Sequence, residues 1–254
     1  MLEFRVATDP GSPDKPNEDA FAILPRLAVV ADGATSPPHL GDGCIHGPAW
    51  YARTLVGFVA SAHLSRPVAE PADLLVEAIE RTTQAHSGTC DVGHPGSPSA
   101  TVAMLTVSTE GIARWLVLGD CTFVADAGPD LLVVSDDRLA NTSHSERAAV
   151  KEPGVASDPV EYGRRDALVL AQRSNRNRSG GFWAASSCPR GRIRIIRRVD
   201  DDQRKFQHAD RIVDRWGQPN RRSLWHPYLA VSTRDDRLNR TRGIAQATQA
   251  CRGF

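Results

Sequence analysis

Acidic residues in two short segments near the N-terminus have the types and the spacing to bind a divalent cation. Glu18 and Asp19 are separated from Asp32 by an apolar stretch that a Pro-Arg pair interrupts once, a pattern that predicts a β-hairpin. With the turn centred between residues 25 and 26, Asp19 lies opposite Asp32 and Glu18 lies opposite Gly33. Like charges directly opposed on paired strands are destabilising. We therefore predict that a divalent cation, which prefers carboxylate and carbonyl oxygen, binds at this end of the hairpin.

The apolar residues beyond the hairpin predict the elements that hold it in place. They recur at helical spacing in two segments, and shorter strand-like segments follow a loop rich in Gly, Pro and Ser. The expected helices are 48–64, 71–86 and 165–174, and the expected strands are 100–107, 112–118, 121–126 and 131–135. Gly119-Asp120 suits a type II′ turn, which predicts that the strands on either side of it form a hairpin. The order of hairpin, helices and antiparallel strands predicts an α+β layered domain.

The charge of the chain is divided unevenly along its length. The whole chain of 254 residues has a formal net charge of +1, but residues 1–150 carry −10 and residues 151–254 carry +11. From about residue 188 onward arginine is abundant, and the apolar residues keep neither a strand period nor a helical one. We therefore divide the chain into an ordered domain, 1–187, and an irregular Arg-rich tail, 188–254. Our hypothesis is that the tail is wholly or partly frame-shifted, or is a degenerate remnant of the same domain.

The cysteine pattern and the hydropathy indicate a cellular compartment. The five cysteines are scattered and include no C-x-x-C pair, which favours free thiols in a reducing, cytoplasmic setting. Cys44-x-His46 and Cys90-x-x-x-His94 could be combined into a zinc site, but they lack the paired spacing usual in structural zinc sites, so no zinc is predicted. The sequence shows neither a leader nor an apolar run of the ~20 residues that span a bilayer, so no membrane association is expected.

Four segments in order along the chain carry short motifs that occur together in one family of enzymes. They are Asn-Glu-Asp-Ala-Phe (17–21), Val-Ala-Asp-Gly-Ala (30–34), Ser-Pro-Ser-Ala-Thr-Val-Ala (97–103) and Leu-Val-Leu-Gly-Asp-Cys (116–121). In that order they resemble the opening acidic strand, the Val-x-Asp-Gly strand, the Gly-Ser-Thr-Ala strand and the Val-Gly-Asp-Ser turn of the type 2C protein phosphatases. These are metal-dependent serine/threonine phosphatases, and the resemblance covers about residues 1–187.

This resemblance implies a fold and a metal site. The fold is an antiparallel β-sandwich flanked by helices in four αββα layers, here expected to be incomplete at the C-terminus. Two Mn²⁺ or Mg²⁺ ions would lie at one end of the sandwich, with Asp32 bridging them and Gly33 offering its carbonyl oxygen. Glu18 would hold one ion, and Asp19 would orient the attacking water. Asp120 matches the position of a further, more loosely held metal.

Some positions of the family pattern are filled differently in this chain. Where family members often carry a phosphate-binding arginine, the chain has Asp14 followed by Lys15. Lys15 is therefore the candidate phosphate ligand, although a lysine cannot bind phosphate bidentately. The candidates for the two later metal-binding aspartates are Asp210, which lacks the glycine that follows it in the family, and Asp235.

The resemblance implies hydrolysis of phosphoserine and phosphothreonine, so the expected partner is a phosphoprotein. The incomplete set of aspartates leaves a second hypothesis, a catalytically impaired member that binds a partner without turnover. A third hypothesis is a nucleic-acid-associated protein that binds through its basic tail. Nucleic acid is not expected as a partner, because the tail holds too few aromatic residues to form stacking platforms. The sequence does not indicate an oligomeric state.

Overall fold

The computed structural model describes residues 6–10, 13, 15–34, 36–126, 131–150, 159–187 and 228–232. Two strands, β1 (Asp19–Leu24) and β2 (Leu27–Gly33), lead through a 3-10 turn at Pro38–Leu40 to two helices, α1 (Gly47–Ser65) and α2 (Pro71–His86). Four strands follow: β3 (Ser99–Val107), β4 (Ala113–Leu118), β5 (Thr122–Asp126) and β6 (Leu131–Ser135). The remaining elements are α3 (His144–Ala149), α4 (Pro159–Asn175), β7 (Ala185–Ser186) and β8 (Tyr228–Ser232).

The strands form two sheets. The larger sheet has the order β1-β2-β3-β4, with the short strand β7 paired to the start of β3, and all of its pairs are antiparallel. The smaller sheet has the order β6-β5-β8, in which β6 is antiparallel and β8 parallel to β5. Helices combined with mainly antiparallel sheets confirm the predicted α+β class.

Two apolar cores lie on opposite faces of the larger sheet. Tyr51 and Leu55 of α1 and Leu75 of α2 pack with alternate residues of β2 and β3, such as Val29 and Val102. The intervening residues of the same two strands face the smaller sheet, where Ala28, Ala103 and Leu105 pack with Phe123 and Ala125. The central strand β3 is buried along its whole length. Burial on both faces explains why residues 102–105 in the middle of this strand are all apolar rather than alternately apolar and polar.

Helix α2 shows how local sequence sets an element of this fold. Pro71 occupies its first turn, where the missing N–H costs nothing, and the helix covers the predicted residues 71–86. Its buried stripe includes Leu74, Leu75, Ala78 and Ile79. On the outer face, Glu77 pairs with Arg81 one turn later, at 3.6 Å, and with Arg66 at the end of α1. The amphipathic helix is thereby fixed on the larger sheet.

The predicted hairpin across Gly119-Asp120 is wrong. Strand β4 pairs with β3, whereas β5 pairs with β6 and β8, so the chain passes at this point from the larger sheet to the smaller one. Gly119 has φ +78°, and its N–H donates to Asp136 Oδ2 at 3.1 Å. Asp136 also accepts from the side chain of Arg138. A tight corner with a positive φ suits a strand that changes sheets as well as it suits a hairpin.

Replacing Gly119 by alanine is expected to destabilise the fold by about 1–3 kcal/mol, because a non-glycine residue is strained at this φ and overpacks the corner. A Cβ there would lie 2.4 Å from Thr101 Cγ2. Urea unfolding followed by circular dichroism measures the change. The matched control is Gly57→Ala in α1, where a Cβ meets nothing within 4 Å, and we expect about 0.5–1 kcal/mol of stabilisation. Equal stability of the Gly119→Ala variant and the wild type would show that the corner is not rigid.

Little of the predicted tail lies within the described residues. Between 188 and 254 they comprise only Tyr228–Ser232, whose backbone pairs with β5. The reading-frame hypothesis and the expected incompleteness at the C-terminus concern residues outside that range. No helix of the described residues is long and apolar enough to cross a membrane.

Candidate active site

The hairpin of β1 and β2 has the predicted register and gathers acidic residues at its open end. Asp19 is the antiparallel partner of Asp32, as Leu24 is of Leu27 at the turn. The N–H of Gly33 donates to the carbonyl oxygen of Glu18 at 3.0 Å, which continues the pairing by one residue. Glu18, Asp19, Asp32 and Gly33 are therefore neighbours in the fold.

A short hydrogen-bonded chain holds the Asp19 carboxylate. Thr8 Oγ1 donates to Asp19 Oδ2 at 3.1 Å, and Asn17 Nδ2 donates to Thr8 Oγ1 at 2.7 Å. Asn17 Oδ1 in turn accepts from the N–H of Asp19 at 2.9 Å, the local turn that asparagine favours. One Asp19 oxygen is thus tied back to the protein by two residues that the sequence analysis did not assign to the site.

Burial raises the pKa of two carboxyl groups at this end of the hairpin, Asp32 and Asp19. Burial is the largest cause and the negative charges of Asp19, Asp120 and Glu18 follow in that order; together they raise the pKa of Asp32 to about 7. Burial also raises the pKa of Asp19, and the hydrogen bonds from Thr8 and Asp32 offset part of this rise. A hydrogen bond between the two opposed carboxyls therefore stabilises the proton on Asp32 and the charge on Asp19. Crowded oxygen donors of one charge are the donor set that a hard divalent cation fits.

The strand crossing brings Asp120 to the same place. Thr101 on β3 is the antiparallel partner of Asp32, and Gly119 lies directly against Thr101. The side chain of Thr101 is hydrogen-bonded to the buried thiol of Cys121, at 3.2 Å. Asp120 lies between these two contact points, and its charge acts on Asp32. The corner between the two sheets, rather than a hairpin turn, therefore positions the carboxylate of Asp120 near Asp32.

Two basic residues belong to, or contact, the segment that leads into the acidic cluster. Lys15 is exposed, three residues before Glu18. Arg53 of α1 donates from Nη2 to the carbonyl oxygen of Asn17 at 3.3 Å, which places a guanidinium beside the same segment. Sequence reasoning missed Arg53, because nothing in its local pattern distinguishes it from a solvated charge on a helix.

Comparison with known proteins decides the family. A family model described as protein phosphatase 2C matches residues 12–161, which is more than half of the chain and includes all four carboxylates. The chain belongs to the protein phosphatase 2C family. No curated protein matches the sequence of this family member.

Solved structures of phosphatases resemble this phosphatase 2C chain at low identity. The serine/threonine phosphatase MsPP of Mycobacterium smegmatis, in complex with cacodylate, is 18% identical with a TM-score of 0.38, over 55% of this chain and 59% of that one. PstP/Ppp of Mycobacterium tuberculosis is 14% identical with a TM-score of 0.38, over 61% of this chain and 63% of that one. The PstP catalytic domain in complex with 2 manganese ions is 12% identical with a TM-score of 0.36, over 65% of this chain and 90% of that one. This phosphatase 2C chain thus matches about three-fifths of the length of the first two.

Within this phosphatase 2C domain, the structure brings five of the predicted site residues together. They are Glu18, Asp19, Asp32, Gly33 and Asp120. Lys15 precedes them on the same segment. Asp210 and Asp235 lie outside the described residues, so their place in the site stays a prediction.

Proposed function

We propose that this chain hydrolyses phosphoserine and phosphothreonine in proteins, using Mn²⁺ or Mg²⁺ held at the open end of the hairpin. The observation that carries the proposal is the buried Asp32 carboxyl with Asp19, Asp120 and Glu18 around it: burial and then their negative charges raise its pKa to about 7. Repulsion between neighbouring carboxylates destabilises the folded protein, and a bound divalent cation removes that repulsion. The residues present therefore fit the metal that the family requires.

The roles proposed for the residues are those that the resemblance to the family implies. Asp32 and Glu18, with the carbonyl oxygen of Gly33, would hold the ions, and Asp120 would hold a further ion. Two bound cations would neutralise charge on the phosphoryl oxygens and activate a water molecule for in-line attack on phosphorus. Asp19, with one oxygen hydrogen-bonded to Thr8, would orient that water and accept its proton. Lys15 would bind the phosphate of the substrate.

The substrate class is tested by phosphate release from three peptides of one sequence that carry phosphoserine, phosphothreonine or phosphotyrosine. We expect Mn²⁺-dependent release from the first two and much slower release from the third. A chain that binds the phosphoserine or phosphothreonine peptide with Mn²⁺ but releases no phosphate would instead be an impaired member that acts by binding. Preference for the phosphotyrosine peptide would contradict the proposed substrate class.

The acidic cluster is also expected to make stability depend on pH when Mn²⁺ and Mg²⁺ are left out. With the folded-state pKa of Asp32 at about 7, above its value of about 3.9 in an unfolded chain, the folded state retains a proton that the unfolded state has lost. The free energy of unfolding therefore falls as pH rises from about 4 to about 7. Asp32→Asn should remove this loss, a difference from wild type of at most about 4 kcal/mol.

Urea unfolding of both proteins on either side of this pH window measures that difference. Because every other titrating group is common to both proteins, the comparison isolates Asp32. The same pH dependence in wild type and variant would show that burial and the neighbouring charges do not raise the pKa of Asp32. Added Mn²⁺ should restore wild-type stability above about pH 7, because binding to the folded state alone stabilises it.

A further inference from the structure

A second group of metal-ligand side chains lies outside the acidic cluster. Cys44 and His46 lie in the loop that precedes α1, His86 is the last residue of α2, and Cys90 follows it by four residues. We call these four residues the thiol–imidazole cluster. Within the described part of the chain, it is the one group of three or more such residues found with all ligand atoms within 4.8 Å of one another.

The sulfur–nitrogen separations in the cluster are close to those of a tetrahedral zinc site. Cys44 Sγ lies 3.6 Å from His46 Nδ1 and 3.7 Å from His86 Nδ1, and Cys90 Sγ lies 3.3 Å from His46 Nδ1. Zinc bonds of ~2.3 Å to sulfur and ~2.0–2.1 Å to nitrogen, at tetrahedral angles, require sulfur–nitrogen separations of ~3.6 Å. The two sulfurs are 3.2 Å apart, so both cysteines are free thiols and not a disulfide of ~2.05 Å.

The surroundings of His86 supply a second, independent indication of a ligand. Its ring is fully buried, with Nδ1 directed at the cluster and Nε2 hydrogen-bonded to Ser187 Oγ at 2.6 Å. Histidines that bind metals usually donate their other ring N–H to such an acceptor, which fixes the tautomer. The N–H of His46 also points at Cys44 Sγ, at 3.4 Å, and would stabilise a thiolate there.

Aromatic rings close the cluster on one side. His46 stacks on Trp50 with ring centroids 4.2 Å apart, and Trp50 lies 5.3 Å from the ring of His86. Both imidazoles are therefore held in place by packing as well as by hydrogen bonds. Rigid orientation of ligands is what a structural metal site requires.

The fold brings Cys90 together with His86 and not with His94, the histidine with which the sequence motif combined it. Cys90 has a histidine four residues before it and another four residues after it, so spacing cannot choose between them. The fold does, because the N–H of Cys90 donates to the carbonyl oxygen of His86 at 3.0 Å and so continues the last helical turn. His94 instead accepts from the N–H of Gly96 through its own Nδ1.

From this geometry we infer that Cys44, His46, His86 and Cys90 bind one structural Zn²⁺. Two thiolates and two imidazoles select a borderline-soft ion over Mn²⁺ and Mg²⁺, which prefer oxygen. Four protein ligands leave no open position for a substrate, so the ion is structural. It ties the loop before α1 to the end of α2 and, through the hydrogen bond of His86, to Ser187 directly after β7. The inference is independent of the proposed phosphatase activity.

The zinc also stabilises a contact of the acidic cluster. Pro48, two residues after His46, packs on Gly33 so closely that a Cβ on Gly33 would lie 2.7 Å from the Pro48 carbonyl oxygen. The start of α1 is thus fixed on one side by the zinc and on the other by the hairpin. Loss of zinc is expected to lower Tm, because a structural metal contributes its binding energy to folding.

Metal analysis of the full chain, purified under reducing conditions, tests the inference. We expect one zinc per chain in the wild type and in the control His94→Gln, and none in Cys90→Ser or His86→Asn. If those variants do not fold, Ser187→Ala keeps all four ligands and should weaken zinc affinity by roughly 10–100-fold in competition with a chelator. A Co²⁺-substituted wild type should show the absorption of tetrahedral thiolate coordination.

Three results would overturn the zinc site. One is a reduced wild-type chain that contains no zinc and takes up none when Zn²⁺ is added. Another is full zinc content in Cys90→Ser, and the last is a disulfide between Cys44 and Cys90 in the protein as isolated under reducing conditions. Mn²⁺-dependent phosphatase activity is recorded separately, so that failure of the phosphatase proposal is distinguishable from failure of the zinc site.

Discussion

Asp32→Asn is expected to lower kcat/KM for Mn²⁺-dependent phosphate release by roughly 10³-fold or more. The amide keeps the size of the side chain but removes the charge at the centre of the acidic cluster. Metal ions stabilise transition-state charge by several kcal/mol, and each ~1.4 kcal/mol is a factor of ten in rate. Hydrolysis of p-nitrophenyl phosphate and of a phosphothreonine peptide, each at several Mn²⁺ concentrations, measures the loss.

The matched control for Asp32→Asn is Glu80→Gln, which neutralises an exposed carboxylate on the outer face of α2. It should leave kcat/KM and the Mn²⁺ requirement unchanged. Circular dichroism spectra of both variants establish that they are folded. Wild-type turnover by folded Asp32→Asn would remove Asp32 from the metal site and, with it, the proposed mechanism.

Gly33→Ala is expected to have the second-largest effect, on stability and metal binding together. A Cβ at this position would meet backbone on both sides, 2.7 Å from the Pro48 carbonyl oxygen and 3.0 Å from that of Glu18. Backbone cannot rotate away as a side chain can, so α1 and the segment of Glu18 must move apart. Such overpacking costs about 1–3 kcal/mol. The displaced Glu18 should raise the Mn²⁺ concentration for half-maximal activity by roughly tenfold or more, the equivalent of about 1.4 kcal/mol of binding.

Urea unfolding and a Mn²⁺ titration of phosphatase activity measure the two consequences for Gly33→Ala. The matched control is Gly163→Ala in α4, where a Cβ meets nothing within 4 Å. That control should be slightly stabilised and keep the wild-type Mn²⁺ requirement. If Gly33→Ala behaved like Gly163→Ala, the contact between α1 and the hairpin would not position the metal ligands.

Features that depend on local sequence could be predicted. The register of β1 and β2 follows from one apolar pattern and one turn, so the meeting of Asp19 and Asp32 needed no knowledge of the rest of the fold. The limits of α2 follow from Pro71 at its start and an apolar stripe along its length. Both are set by interactions within about twenty residues of sequence.

Features that depend on distant contacts could not be predicted in the same way. Gly119-Asp120 reads equally well as a hairpin turn and as a corner, and only the partners of β4 and β5 distinguish the two. Thr8 reaches Asp19 across eleven residues from a segment without regular structure, so no periodicity marks it. The thiol–imidazole cluster joins two loops that are more than forty residues apart in sequence.

The binding of Mn²⁺ to the zinc-loaded full chain, counted by electron paramagnetic resonance of the free ion, tests the central claim most directly. The account requires that the acidic cluster on the hairpin hold the ions. Wild type is therefore expected to bind at least two Mn²⁺ per chain, and Asp32→Asn to lose this binding while Glu80→Gln retains it. Wild-type protein that leaves all Mn²⁺ free in solution, or Asp32→Asn that binds as much as wild type, would contradict the account.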